Sequence, residues 1–261
     1  MLQKPLILAI ETSSRIGSIA LGRGPDLLDQ CTFSAPLRHS AEIFPAILRL
    51  LGPQACGPDA IDQVYISVGP GSFTGLRIAV TIAKIMHLAH SVQIVAVNSL
   101  DTIAANLAGG RDQRTAVPER IATILDAKRG QFYVAVYERR EAGPEPLSDS
   151  GRDDSSYRIP AQGRAFWRKT VPDCLLSIPK FVDEFASQGA PIGVMGDGLL
   201  YHQDRFAAEG VHILDPAGWS PRADNVRALG YQKALAGRFA DPLSLAPRYL
   251  RGPQVTLRRR S

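Results

Sequence analysis

The residues best placed to do chemistry lie in the stretch Val68-Gly69-Pro70-Gly71-Ser72-Phe73-Thr74-Gly75-Leu76-Arg77. It joins an apolar run, Val64 to Val68, to a longer one, Leu76 to Ala89. Its glycines and proline predict a tight strand-to-helix turn. Glycine admits positive φ and lets another backbone or an anion come close. Ser72 and Thr74 can cap the helix, because a hydroxyl accepts from the free N–H groups of the first turn. Those N–H groups and the helix dipole also favour a phosphate. Thr12, Ser13, Gly69, Gly71, Ser72 and Thr74 therefore form a candidate phosphate loop. The same features equally serve a capped turn that folds the helix back on its strand. No Gly-Lys-Ser/Thr follows, so this is not a Walker loop.

Two acids stand in matching places. Glu11 ends the apolar run from Leu6, and Asp126 ends the run from Ile121. An acid there could hold Mg²⁺ beside a nucleotide, or could simply close a turn. The five histidines, His39, His87, His90, His202 and His212, have no metal-ligand spacing. Cys31, Cys56 and Cys174 share no CxxC spacing, and their odd count suits a reducing cytoplasm. No Gly-x-Ser-x-Gly elbow occurs. The expectation is of no catalytic residue, no metal and no tightly held cofactor.

The elements that carry these residues alternate between buried strands and helices. Leu6 to Ile10, Ser18 to Leu21 and Leu27 to Phe33 predict an antiparallel meander; Val64 to Val68 and Val92 to Val97 predict further strands buried on both faces. Arg38 to Leu51 reads as a helix with one apolar stripe at Ala41, Phe44, Leu48 and Leu51, and a second at Ile43, Ile47 and Leu50. The helix after Gly75 has one narrow polar stripe, Arg77, Thr81, Lys84 and His87. A helix lying on a sheet needs only one apolar stripe. The surplus predicts either a crowded core or a partner surface, with His39, Phe44, Ile47, Leu48, Leu76, Arg77, Val80 and Lys84 as candidates. Val80, bracketed by Arg77 and Lys84, and the large Phe44 are expected to face outward.

Asn98 or Ser99 should cap a helix that ends near Gly109. A polar stretch from Arg111 to Arg120 then reads as a boundary. Ile121 to Asp126, a turn, and Phe132 to Tyr137 repeat the opening of the chain in outline. Residues 138–162 read as an exposed insertion. A helix at Arg222 to Gly237, an extended segment at Pro247 to Arg251 and a basic tail, Arg258-Arg259-Arg260, close the chain. The expected divisions are 1–109, 110–221 and 222–261, the last packing back on the first. Hydrophobic residues make up 45% and charged residues 21% of 261, which is ordinary for a soluble protein. No export signal or membrane span is expected, so the chain reads as cytoplasmic. A net charge of +5 could help with nucleic acid or an acidic partner.

Leu8-Ala9-Ile10-Glu11-Thr12-Ser13, His39-Ser40-Ala41-Glu42, the Gly69-to-Arg77 run and Val97-Asn98-Ser99-Leu100 occur in the order of the TsaB (YeaZ) family, which the chain resembles. The resemblance covers residues 6 to 109 closely and the remainder loosely. It implies an α/β fold of two tandem ribonuclease-H-like halves, in the actin/Hsp70/sugar-kinase (ASKHA) group. It also implies a non-catalytic subunit that works with TsaD and TsaE to place threonylcarbamoyl on N6 of adenosine 37 in tRNAs reading codons that begin with A. TsaD, a paralogue, would be met directly through the N-terminal helices, and tRNA through the complex. The chain alone would pair with a second copy. ATP and metal would belong to TsaD and TsaE. Where TsaD carries its His-x-x-x-His metal motif, this chain has Ser99 and Ile103. Many relatives have Asp in place of Glu11. An autonomous actin-like ATPase or kinase, built on Thr12, Ser13 and the glycine loop, is the alternative.

Overall fold

The computed structural model describes residues 4–35, 38–109, 117–141, 158–161, 165–187 and 190–250. The Arg-rich tail, most of the 138–162 insertion and part of the 111–120 boundary lie outside the described residues.

The first half contains β1 (Leu6–Glu11), β2 (Ser18–Arg23), β3 (Asp26–Thr32), α1 (His39–Leu51), β4 (Gln63–Gly69), α2 (Phe73–His90), β5 (Gln93–Asn98) and α3 (Ser99–Ala104). Its sheet runs β3-β2-β1-β4-β5. The first three strands form an antiparallel meander, and β4 and β5 run parallel to β1. β1 is apolar throughout because both its faces are covered. Leu6, Leu8 and Ile10 join the core under α1 and α2, whereas Ile7 and Ala9 join the core on the opposite face. A strand turns alternate side chains to opposite faces, so one continuous run serves two layers.

The second half contains β6 (Arg120–Asp126), β7 (Gln131–Glu141), β8 (Ile159–Pro160), β9 (Ala165–Ser177), α4 (Ile178–Phe181), β10 (Ile192–Met195), α5 (Gln203–Phe206) and β11 (Val211–Ile213). Its order is β11-β10-β6-β7-β9-β8. β6, β7 and β9 repeat the antiparallel meander, and β10 and β11 add parallel strands beside β6. The chain is thus two ribonuclease-H-like halves in tandem, the ASKHA architecture.

The sequence does not announce the 13-residue β9, and β7 runs on to Glu141, into the stretch read as an insertion. Charged residues and Pro172 hide the strand pattern, since all are disfavoured in strands. Pro172 falls where the β7–β9 register shifts, and among the described residues β8 pairs only with Phe166 and Trp167, so no described strand pairs with the Pro172 edge of β9, which tolerates it.

The last helix, α6 (Ala223–Leu235), lies on the first sheet, away from α1 and α2. Ala223 N donates to Ser18 Oγ at 3.0 Å, Arg227 donates to the Pro25 carbonyl at 2.7 Å and Lys233 to that of Ala96 at 2.9 Å. Gly230 lets the helix sit close: a Cβ there would fall 2.5 Å from the ring of the buried Tyr65. Beyond α6 the chain crosses the first half. Ala240 N donates to Ile94 O, Leu245 is buried, and Arg248 N donates to Val68 O at 2.7 Å.

Candidate functional site

The glycine loop and the β1–β2 turn form one closed unit. Ser72 caps α2, its hydroxyl accepting from Gly75 N at 3.3 Å, so the helix begins at Phe73. Ser72 N donates to Ser13 O at 2.7 Å, and the Thr12 hydroxyl donates to Gly75 O at 2.7 Å. A Cβ on Gly71 would lie 2.3 Å from Ser13 O, and one on Gly75 only 1.8 Å from Thr12 O. These glycines let two backbones touch. Of the two readings of the loop, the capped turn is the one these contacts describe: Thr12 is fully buried with its hydroxyl engaged, and the Ser72 amide has an acceptor.

Glu11 is likewise internal. It accepts from Ser13 N and Ser13 Oγ, both at 2.5 Å, and from Ser67 Oγ. Burial raises its pKa against those hydrogen bonds. Its counterpart Asp126 closes a turn, accepting from Lys128 N and from the Lys128 ammonium, both at 2.7 Å. Neither acid is arranged as a free ligand for Mg²⁺.

Between the halves lies a cleft of about 380 Å³. Ser13, Gly71 and Ser72 line it from the first half; Asp126, Lys128, Asp197 and Tyr201 line it from the second. Asp197 accepts from Arg15 N at 3.5 Å, and burial raises its pKa.

α3 forms the second junction. Asn98 caps it, accepting from Leu100 N at 2.8 Å and Asp101 N at 3.2 Å. Ser99 and Ile103 are both fully buried, and the Ser99 hydroxyl has no hydrogen-bond partner among the described residues. Beside them, a charged cluster ties α3 to the second sheet. The Lys169 ammonium sits 2.7 Å from both Asp101 and Asp173, and the Tyr137 hydroxyl donates to Asp101 at 2.7 Å. Asn98 donates to Asp173. Burial alone would lower the Lys169 pKa, but the two carboxylates hold it above its ordinary value. The sequence presents Asp101 only as an acid suited to the helix dipole, and gives no sign of partners so far along the chain.

The candidate partner residues divide. Val80, expected to face outward, is only 7% exposed and belongs to the core under α1 and α2. Ile47, Leu76 and His39 are buried too. The His39 ring bonds the Ser14 carbonyl at 3.1 Å, so its role is to hold α1 against the β1–β2 turn. Arg77 and Lys84 are tied to the C-terminal segment, through Tyr249 OH at 3.3 Å and Leu243 O at 3.4 Å. Facing outward are Phe44 and Leu48 of α1 with Ile85 and Leu88 of α2, between 55% and 81% exposed. An apolar groove of about 180 Å³ runs between the two helices, lined by Phe44, Leu48, Ile82 and Ile85 among others. Ile85 and Leu88 are legible in the sequence only as part of the excess of apolar residues in α2.

Two ribonuclease-H-like sheets facing each other across a cleft define a protein of the ASKHA class. The family model for TsaD, tRNA N6-adenosine threonylcarbamoyltransferase, matches residues 34–149. The TsaB protein of Bacillus subtilis, a tRNA threonylcarbamoyladenosine biosynthesis protein, is 29% identical over 249 residues, covering 94% of this chain and 93% of that one. The Escherichia coli TsaB is 31% identical over 140 residues, which is 52% of this chain and 57% of its own length. YeaZ from Pseudomonas aeruginosa superposes with a TM-score of 0.70 at 20% identity, over 94% of this chain and all of that one, and so shares the fold. Over nearly its full length this chain is similar to the Bacillus subtilis TsaB protein. No helix among the described residues is long and apolar enough to cross a membrane.

Proposed function

We propose that this chain is a non-catalytic subunit in threonylcarbamoyladenosine synthesis on tRNA, docking a TsaD-type subunit through the outer face of α1 and α2. The pathway is that of the similar TsaB proteins, which are tRNA threonylcarbamoyladenosine biosynthesis proteins. The observation that carries the docking role is the uncovered apolar face of Phe44, Leu48, Ile85 and Leu88. Both faces of the sheet behind these helices are already filled, so nothing among the described residues covers them. A patch of this kind marks an interaction site more often than an accident of packing. The absence of a donor at Ile103 and the closed glycine loop support assigning the chemistry, with its ATP and metal, to TsaD and TsaE. Alone, the chain would pair with a second copy through the same face, as a two-fold dimer uses one patch twice. The test combines purified TsaD, TsaE and a threonylcarbamoyl donor with unmodified tRNA, with and without this chain. Modification that depends on the chain supports the proposal. Full modification without it, or turnover by the chain alone, contradicts it.

A further inference from the structure

The rim of the inter-half cleft carries three exposed aromatic rings, each engaged by an arginine. Phe73, Tyr201 and Tyr249 are between 42% and 66% exposed, an unusual state for side chains that gain so much from burial. Phe73 and Tyr249 stack with centroids 5.1 Å apart and planes at 29°. The Arg77 guanidinium lies 3.8 Å from the Phe73 centroid and also donates to Tyr249 OH. On the other wall, the Arg15 guanidinium lies 5.1 Å from the Tyr201 centroid. Phe73 and Arg15 come from the first half and Tyr201 from the second, and all three line the same opening. Of the acids at this opening, Asp126 is paired with Lys128, and Asp197 accepts from the Arg15 amide and lies within reach of its charge.

We propose that this rim is a contact surface for a single-stranded segment of RNA, whose bases stack on Phe73 and Tyr201 while Arg15 and Arg77 meet its phosphates. Exposed rings with arginines along an open groove are the means by which single strands are held, since every base offers a π-face. The two walls can each take one base, and the cleft between them gives the strand a path. A duplex would offer neither wall an unstacked base. The choice of RNA rests on the proposed function; the rim itself does not.

The test uses fluorescence anisotropy of the purified chain with a labelled anticodon stem–loop RNA, a duplex RNA of equal length, and free AMP as competitor. The expected result is tighter binding of the stem–loop than of the duplex. Phe73→Ala and Tyr201→Ala should each weaken it by about 5- to 100-fold, as loss of one stacked base does. Arg15→Ala and Arg77→Ala should each flatten the log K against log salt slope by about 0.7. None of the four side chains is buried, and circular dichroism checks that the variants fold. Stem–loop binding unchanged in both aromatic variants would overturn the proposal. So would equal binding of duplex, or displacement by AMP at concentrations matching the RNA, which would make the cleft a mononucleotide pocket. If the chain fails to support tRNA modification yet loses stem–loop binding on Tyr201→Ala, the rim stands and the functional proposal fails.

Discussion

In the first half two long helices, α1 and α2, cover one sheet face and keep apolar side chains on their outer surface as well. In the second half the helices are short, and their rings turn inward: Phe206 packs edge to face against Phe181 and against Phe132 of β7, with centroids 5.2 to 5.5 Å apart. Of the large hydrophobic side chains exposed among the described residues, only Leu200 and Tyr201 belong to the second half. One strand order thus supports two uses of apolar surface. The second half buries its own, whereas the first leaves Phe44, Leu48, Ile85 and Leu88 uncovered among the described residues. The loops show where the halves agree. In each, the glycines after the fourth core strand press on the end of the first: Gly71 and Gly75 on Ser13 and Thr12, Gly196 and Gly198 on Ile124 and Asp126. The close approach is common to both halves, and only the surroundings differ.

The largest effect should come from severing the halves at α3. Lys169→Ala leaves Asp101 and Asp173 facing each other in a buried site, and should cost about 3–5 kcal/mol in urea unfolding. A loss under about 1 kcal/mol would mean that water reaches the cluster freely. Next are the loops. Gly75→Ala puts a Cβ 1.8 Å from a carbonyl and should cost about 3 kcal/mol, whereas Gly198→Ala, with its nearest contact at 2.9 Å, should cost about 1 kcal/mol. Equal costs would break the link between crowding at each glycine and the cost of its replacement.

The smallest effect concerns the paired acids. Glu11 has a raised folded-state pKa, so the folded state holds its proton more tightly than the unfolded one. Its contribution is therefore most favourable at low pH and is lost as pH rises from its ordinary value of 4.5 toward the folded value. Glu11→Gln should remove that loss, so the stability of the variant relative to the parent should grow as pH rises above the ordinary value of 4.5. A flat Glu11→Gln difference across this range would contradict the burial argument.

The buried strands are legible because runs such as Leu6 to Ile10 have no other use, and the helix after the glycine loop because Ser72 and the apolar repeat agree. The repeat of the halves is visible in two apolar runs ending in acids. Orientation is not legible. In a helix with apolar residues on both sides, periodicity does not say which stripe meets the sheet, and so the sequence reading places Val80 outward when Ile85 and Leu88 hold that position. Pairings across the fold leave no trace either. Arg15 and Tyr201, or Asp101 and Lys169, meet only because the sheets bring distant turns together. β9 is masked by its own composition, its charges and proline being tolerated on an edge that no described strand pairs with.

The central claim is that α1 and α2 dock a partner through their outer face, and isothermal titration of a TsaD-type subunit with the Leu48→Asp/Ile85→Asp variant tests it most directly. Both side chains are exposed in the free chain, so the variant should melt within about two degrees of the parent. Each aspartate would be buried without a partner in the complex, and affinity should fall at least about 100-fold. Wild-type affinity in a folded variant would contradict the account.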